Sequence, residues 1–317
     1  MIKSIQILLL AILLFSCKKN SKQFLMTDSV QPPLAQQINK ELIKHSDIRI
    51  DEFYWLNDRE NPEVIDYLNK ENDYYNAQSA HTKDFQNALF EEMKSRIKED
   101  DSSVPYKYNG YWYVTRYEKG KDYPIYTRKK DSLEAEEELL FDCNEMAKGH
   151  TYFKLSGMNI SPDNSKVAFG LDTIGRRQYT LHIKDLKTNT IFEDKVSNTT
   201  GGSTWANDNE TLFYTHKNET TLRSEAILKH KLRTNYNDDE LVYKEKDDTF
   251  EVGVYKTKSI KYLVIFSYST LTTEFQILNA NTPDADFKIF QPRTRGLEYS
   301  ISHFGNSFYV LSNADGA

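Results

Sequence analysis

Cysteine is almost absent: Cys17 and Cys143 are the only two in 317 residues. Two such distant cysteines exclude a disulfide framework and a cysteine-based zinc site. Glycine (12) and proline (8) are too scarce for a collagen-like or low-complexity chain. Positive charge is not in excess: 41 Lys and Arg face 47 Asp and Glu, so the net charge of -6 leaves no electrostatic footprint for nucleic acid. The longest apolar run, residues 5–15, is too short to cross a bilayer core as a helix. The chain has no Gly-x-Ser-x-Gly nucleophile elbow and no His-Glu-x-x-His zinc motif. Gly201-Gly202-Ser203-Thr204-Trp205 comes nearest to the elbow, but it fails the spacing and reads as a loop ahead of a strand. The seven histidines are scattered, as surface and strand positions are. We therefore expect no catalytic residue, no cofactor and no metal within these residues.

Aromatic residues are abundant, with 21 Tyr and 17 Phe, and favour a β-rich body. The N-terminus has a different character. Lys3 precedes the apolar run, and Leu14-Phe15-Ser16-Cys17 resembles a bacterial lipobox, in which the cysteine is lipidated. Residues 1–17 then form a lipoprotein signal peptide, and residues 18–37, with Pro32-Pro33, a tether. An ordinary signal peptide with a chance cysteine is the alternative. Lipidation of Cys17 implies a protein exported and anchored to a bacterial envelope membrane. Cys143 reads as a small buried hydrophobe rather than a nucleophile.

Residues 38–104 form a helical N-terminal extension. Asn61-Pro62 is a cap followed by proline at the first helical position. In a second helix, residues 83–98, Phe85, Leu89, Met93 and Ile97 share one face. Pro105 forbids its continuation. From Tyr111 onwards, short aromatic strands alternate with turns such as Ser161-Pro162-Asp163-Asn164 and Ala206-Asn207-Asp208-Asn209. Taking Tyr113, Phe169, Phe213, Val264 and Tyr309 as equivalent, the intervals are 56, 44, 51 and 45 residues. That is the spacing of four-stranded propeller blades, and it favours a propeller over a β-sandwich. Residues 105–317 thus predict a mainly β, incomplete propeller of about four to five blades, with an unpaired edge at its end.

These segments resemble the prolyl oligopeptidase family of serine peptidases, the oligopeptidase B branch in particular. The resemblance rests on residues 91–126, EEMKSRIKEDDSSVPYKYNGYWYVTRYEKGKDYPIY. Further matching segments are Asp51-Glu52-Phe53-Tyr54-Trp55-Leu56, Asp172-Thr173-Ile174-Gly175-Arg176-Arg177, Thr221-Leu222-Arg223-Ser224 and Gln291-Pro292-Arg293. It implies a seven-bladed propeller capping an α/β-hydrolase domain, and cleavage of short peptides after Arg or Lys. This chain then carries the extension and the first four to five blades, without the hydrolase domain, and is inactive alone. Its partners are short basic peptides and that hydrolase domain. Asp172, Arg176 and Arg177 are the candidate interdomain contacts, with an exposed loop ion pair as the alternative. Acidic runs at residues 134–138, 238–240 and 247–248 either steer basic peptides towards the propeller tunnel or are solvated turns. A stand-alone, non-catalytic propeller lipoprotein that binds peptides is the competing reading of the whole chain.

Overall fold

The computed structural model describes residues 30–316, so the leader, Cys17 and most of the tether lie outside it. The chain divides into two compact units at Lys98 and Glu99.

The first unit opens with a hairpin of β1 (Lys40–Lys44) and β2 (Asp47–Asp51), in register from Lys40 opposite Asp51 to Lys44 opposite Asp47. Two helices follow, α1 (Pro62–Ser79) and α2 (Lys83–Ser95). The Asn61 side chain accepts a hydrogen bond from the Glu63 N–H at 2.9 Å, satisfying one of the free donors at the start of α1. Helix α2 buries none of its residues. Phe85, Leu89, Met93 and Ile97, the apolar stripe expected from the spacing, are all exposed, Phe85 and Ile97 by about two thirds.

The second unit is a run of antiparallel blades that does not close. Blade 1 comprises β3 (Asp101–Ser102), β4 (Tyr106–Tyr108), β5 (Tyr111–Tyr117), β6 (Ile125–Lys130) and β7 (Glu137–Asp142). Strands β3 and β4 both pair with β5 and together act as its innermost strand. The pairing of Asp101–Ser102 with Arg116–Tyr117 draws residues just ahead of Pro105 into this blade. A short helix, α3 (Cys143–Met146), leads to β8 (Lys154–Ile160), β9 (Lys166–Asp172), β10 (Tyr179–Asp185) and β11 (Ile191–Trp205). Strand β11 serves two blades. Its first part pairs with β10 as the outer strand of blade 2, and its last part pairs with β12 (Thr211–Lys217) as the inner strand of blade 3. Blade 3 continues with β13 (Ser224–Lys231) and β14 (Glu240–Lys244). Blade 4 is β15 (Glu251–Lys256), β16 (Tyr262–Tyr268), β17 (Thr273–Asn279) and β18 (Lys288–Ile289), and a last pair is β19 (Tyr299–Phe304) with β20 (Ser307–Ser312).

All five residues used to set the period fall on the second strand of their blade: Tyr113 on β5, Phe169 on β9, Phe213 on β12, Val264 on β16 and Tyr309 on β20. The first four are buried, each packed against a neighbouring blade or the last pair. Tyr309 is 61% exposed. The strands report the same difference. Residues of β12 are nearly all buried, whereas β19 alternates strictly, with Tyr299, Ile301 and His303 in and Ser300, Ser302 and Phe304 out. Strict alternation marks a pair covered on one face only. Between blades lie the apolar cores: Phe141, Phe153, Val167 and Phe169 join blades 1 and 2, and Phe213, Ile227, Leu263 and Ile265 join blades 3 and 4.

Cys143 sits in the first of these cores and is 1% exposed. Burial, with a smaller push from the Asp142 charge, raises its thiol to about 12. The reactive thiolate is therefore scarce at ordinary pH. Iodoacetamide at pH 8 is expected to leave Cys143 unmodified in the native chain and to alkylate it fully in denaturant. Peptide mapping by mass spectrometry reads this directly, and rapid native modification would mean the core opens here.

Candidate functional site: the propeller axis

The turns between the first and second strands of the blades lie at one end of the axis, because the strands alternate in direction. They share a sequence logic. Asp163 and Asp208 accept backbone hydrogen bonds from residues two ahead, Ser165 and Glu210, at 3.0 Å each. Asn164 and Asn209 then take a positive φ of 63°, which asparagine tolerates.

The same side chains lace the turns into a belt. Asn109 Nδ2 donates to the Pro162 carbonyl at 2.8 Å, joining blade 1 to blade 2. The Asp163 N–H donates to Asn209 Oδ1 at 2.8 Å, joining blade 2 to blade 3. Asn207 Nδ2 donates to the Ile260 carbonyl at 3.0 Å, joining blade 3 to blade 4. Lys261 Nζ reaches the Gly305 carbonyl at 2.9 Å, joining blade 4 to the last pair.

In blade 4 the residue at the asparagine position is Ile260, at φ 58°. A β-branched side chain is strained there. We expect Ile260→Asn to stabilise the chain by about 1 kcal/mol by removing that strain. A raised urea midpoint with unchanged slope is the sign to look for, and an unchanged midpoint would show that Ile260 packing offsets the strain.

Beneath the belt is a cavity of about 530 Å³, walled by the innermost strands of four blades. Tyr108 and Asn109 contribute from blade 1, Asn159 and Ile160 from blade 2, Ser203 and Thr204 from blade 3, and Val254, Tyr255 and Lys256 from blade 4. Trp205 Nε1 donates to the Asn159 carbonyl at 2.9 Å and fixes blade 3 against blade 2 at this wall. The Gly201-Gly202-Ser203 segment, expected as a loop, is strand, being the part of β11 that turns into blade 3. Burial pulls the Lys256 ammonium down to about 8, against the opposing Asp208 charge. Its Nζ donates to Asn207 Oδ1 at 2.8 Å.

The acidic runs do not reach this wall. Glu137 and Glu138 are on the outermost strand of blade 1, Glu240 is on the outermost strand of blade 3, and Asp247 lies beyond that strand. Asp239 is buried and bonds His230 and Tyr214. No group of three or more His, Cys, Asp and Glu able to hold a metal occurs among the described residues.

Asp172, Arg176 and Arg177 share the loop between β9 and β10, at the opposite end of the blades. The Asp172 carboxylate is turned inward. It accepts from the N–H groups of Ile174, Gly175 and Arg177 at 2.8–2.9 Å. Burial works to raise its pKa, yet those donors hold it below the usual carboxylate value. Asp172 thus shapes the loop, while Arg176 and Arg177 point their exposure outward and the Arg177 carbonyl accepts from Lys217 Nζ at 2.9 Å.

A charged cluster that the sequence did not single out lies at the outer edge between blades 2 and 3. His230 is 1% exposed, with Nδ1 2.7 Å from Asp239 Oδ1 and Nε2 3.1 Å from Asp194 Oδ1. Tyr214 donates its hydroxyl to Asp239 Oδ2 at 2.9 Å.

Comparison with known proteins agrees with this architecture. Residues 32–317 match the prolyl oligopeptidase N-terminal β-propeller domain. The chain is 37% identical to dipeptidyl aminopeptidase BI of Pseudoxanthomonas mexicana, over 99% of this chain and 46% of that protein. It is 32% identical to protease 2 of Moraxella lacunata, over 89% of this chain and 42% of that protein. Oligopeptidase B from Leishmania major superposes with a TM-score of 0.84 at 32% identity, over 91% of this chain and 43% of that one. The chain therefore spans less than half the length of the curated relatives it matches. With the family's propeller match running through every blade described above, the chain belongs to the prolyl oligopeptidase family of serine peptidases, in its oligopeptidase B branch, and holds the N-terminal propeller part.

Proposed function

We propose that this chain is the gating and docking part of a serine oligopeptidase that hydrolyses short peptides, after Arg or Lys, in the cell envelope. The axial cavity carries the reading: it is large enough for a few residues of extended peptide and is walled by four blades held in register by the turn belt. A folded domain does not fit between those blades, so the axial cavity admits short or extended chains. Arg176 and Arg177, on the loop held by Asp172, and the exposed stripe of α2 are the surfaces assigned to the catalytic domain. Phe304, Tyr309 and Leu311 on the outer face of the last pair are assigned to a following blade. Lipidation at Cys17 supplies the anchor.

The chemistry itself is acyl transfer by a serine, histidine and aspartate outside these residues. The test compares this chain with a polypeptide that continues into a hydrolase domain, on peptides carrying one internal Arg. The longer protein is expected to cleave after Arg and the 317-residue chain to give no turnover. Turnover by the chain alone would overturn the reading. Release of successive dipeptides from the amino end would instead place it with the relative named dipeptidyl aminopeptidase. Labelling with a radioactive fatty acid, lost in Cys17→Ala, tests the anchor.

A further inference from the structure

The innermost strands wall the axial cavity with their edges as well as their side chains. Strand β15 ends its sheet and pairs only with β16. The phase of that ladder is set at the turn, where the Thr257 N–H donates to the Tyr262 carbonyl at 2.8 Å. Hydrogen-bonded pairs alternate with unbonded ones in an antiparallel ladder, so Tyr255 and Gly253 bond across to Val264 and Phe266. Val254 and Lys256 turn their N–H and carbonyl groups the other way, towards the axis. No hydrogen bond to those four groups occurs among the described residues. Both residues are partly exposed and line the cavity.

The other inner strands around the cavity offer less. In blade 3 the Ala206 N–H donates to the Thr211 carbonyl at 2.8 Å, which gives Ser203 and Trp205 the same phase, but they are 8% and 1% exposed and closed to a ligand. The inner strand of blade 2 shifts register between Ser156 and Asn159. That of blade 1 is broken into β3 and β4. Strand β15 runs without a shift from Glu251 opposite Tyr268 to Lys256 opposite Leu263. Its free groups recur every second residue, about 6.8 Å apart, the repeat of an extended chain. Main-chain groups in a cavity need partners, and an extended peptide carries donors and acceptors at that same repeat.

Resting on the peptide reading above, we propose that the axial cavity binds an extended peptide as an added strand on the free edge of β15, through the N–H and carbonyl groups of Val254 and Lys256. The cavity of about 530 Å³ holds a few residues at that edge. Recognition through the main chain is indifferent to sequence, so the choice of Arg or Lys is left to the catalytic domain. It selects chains whose backbone is unpaired. Folded proteins, whose main-chain groups already bond to one another, are refused on that ground as well as for their size.

The test is fluorescence anisotropy of the purified chain with three pentaalanine peptides labelled at the amino end: unmodified, N-methylated at the third residue, and N-methylated at the third and fourth. An extended peptide can turn one methylated nitrogen away from β15, so the first two should bind alike. Two consecutive methylated nitrogens cannot both be turned away, and the third peptide should bind about tenfold weaker, the size of one lost hydrogen bond. Val254→Pro removes one of the free N–H groups and none of the bonds to β16, a position where an edge strand accepts proline. It should weaken the unmodified peptide by a similar factor with little change in the urea midpoint, while Val254→Ala should bind as the unmutated chain does. If Val254→Pro does not fold, the peptide series decides the question. Equal binding of the three peptides, or full binding by folded Val254→Pro, overturns strand addition and leaves the peptide reading standing. Binding of none of the three overturns both.

Discussion

Gly157→Ala and Gly170→Ala are each expected to prevent stable folding of the propeller. Both glycines lie where β11 leaves blade 2 and crosses to blade 3. A Cβ added to Gly157 would stand 2.0 Å from the Gly201 carbonyl oxygen and 2.6 Å from its carbon. One added to Gly170 would stand 2.4 Å from Gly201 Cα. Both obstacles are backbone, so no side chain can swing away. Gly157 also has φ +64° within a bulge of β8 against β9. Overpacking of flexible side chains costs about 1–3 kcal/mol, and a collision between three backbones exceeds that range. The expected loss, above about 4 kcal/mol, is a large share of the stability of an ordinary domain. Gly120→Ala separates conformational strain from collision. Gly120 has φ +74° and nothing within 4 Å of an added Cβ, so its substitution should cost only about 1–2 kcal/mol. Urea unfolding of the three variants tests the ordering. Equal midpoints for Gly157→Ala and Gly120→Ala would mean the three strands are not in close approach.

The blades were legible because their turns advertise themselves. Asp163-Asn164 and Asp208-Asn209 carry both the capping carboxylate and the residue suited to positive φ, and the aromatic strand follows at once. Where that chemistry is missing, the sequence is silent. The β1–β2 hairpin turns at His45 and Ser46, at φ 51° and 66°, with no Asn-Gly or Asp-Gly to announce it. Blade 4 turns through Ile260, which local rules disfavour. The shared strand β11 hides the boundary between blades 2 and 3, since one 15-residue strand replaces the expected turn and Gly201-Gly202 passes for a loop. Asp172 was recognisable as a special residue, but its carboxylate serves its own loop through backbone donors that no side-chain pattern records. The cavity wall is harder still. Ser203 and Lys256 share one wall only because consecutive blades place their innermost strands side by side. Long-range placement of this kind follows from the fold and not from spacing along the chain.

His230→Gln should cost about 3–5 kcal/mol near pH 6.5, the penalty for leaving buried carboxylates without their cation. Asp194 lies 36 residues away on β11 and Asp239 lies just before β14, so the cluster ties the outer edge of blade 2 to blade 3. Burial alone would favour the neutral imidazole. Hydrogen bonds and charge from Asp239, and then from Asp194, outweigh it and raise the pKa of His230 above its ordinary value. The sign of the pH dependence follows. A raised folded pKa means that the contribution is complete below the unfolded value of about 6.5 and is lost as pH rises through the folded value. The gap between the unmutated chain and His230→Gln should therefore be widest in mild acid and narrow as the pH rises. Taking the difference between the two chains removes the contributions of Lys and Tyr groups common to both. Paired urea titrations from pH 6 to pH 9 measure it, and parallel curves would mean that His230 is neutral in the folded chain, with its two carboxylates held by other donors. Because the cluster sits at a blade junction, its discharge should loosen blade 2 from blade 3 first. Hydrogen exchange at the Leu212 and Tyr214 amides, on the strand beside His230, should therefore accelerate with pH beyond the intrinsic chemical rate, while amides of blade 1 do not.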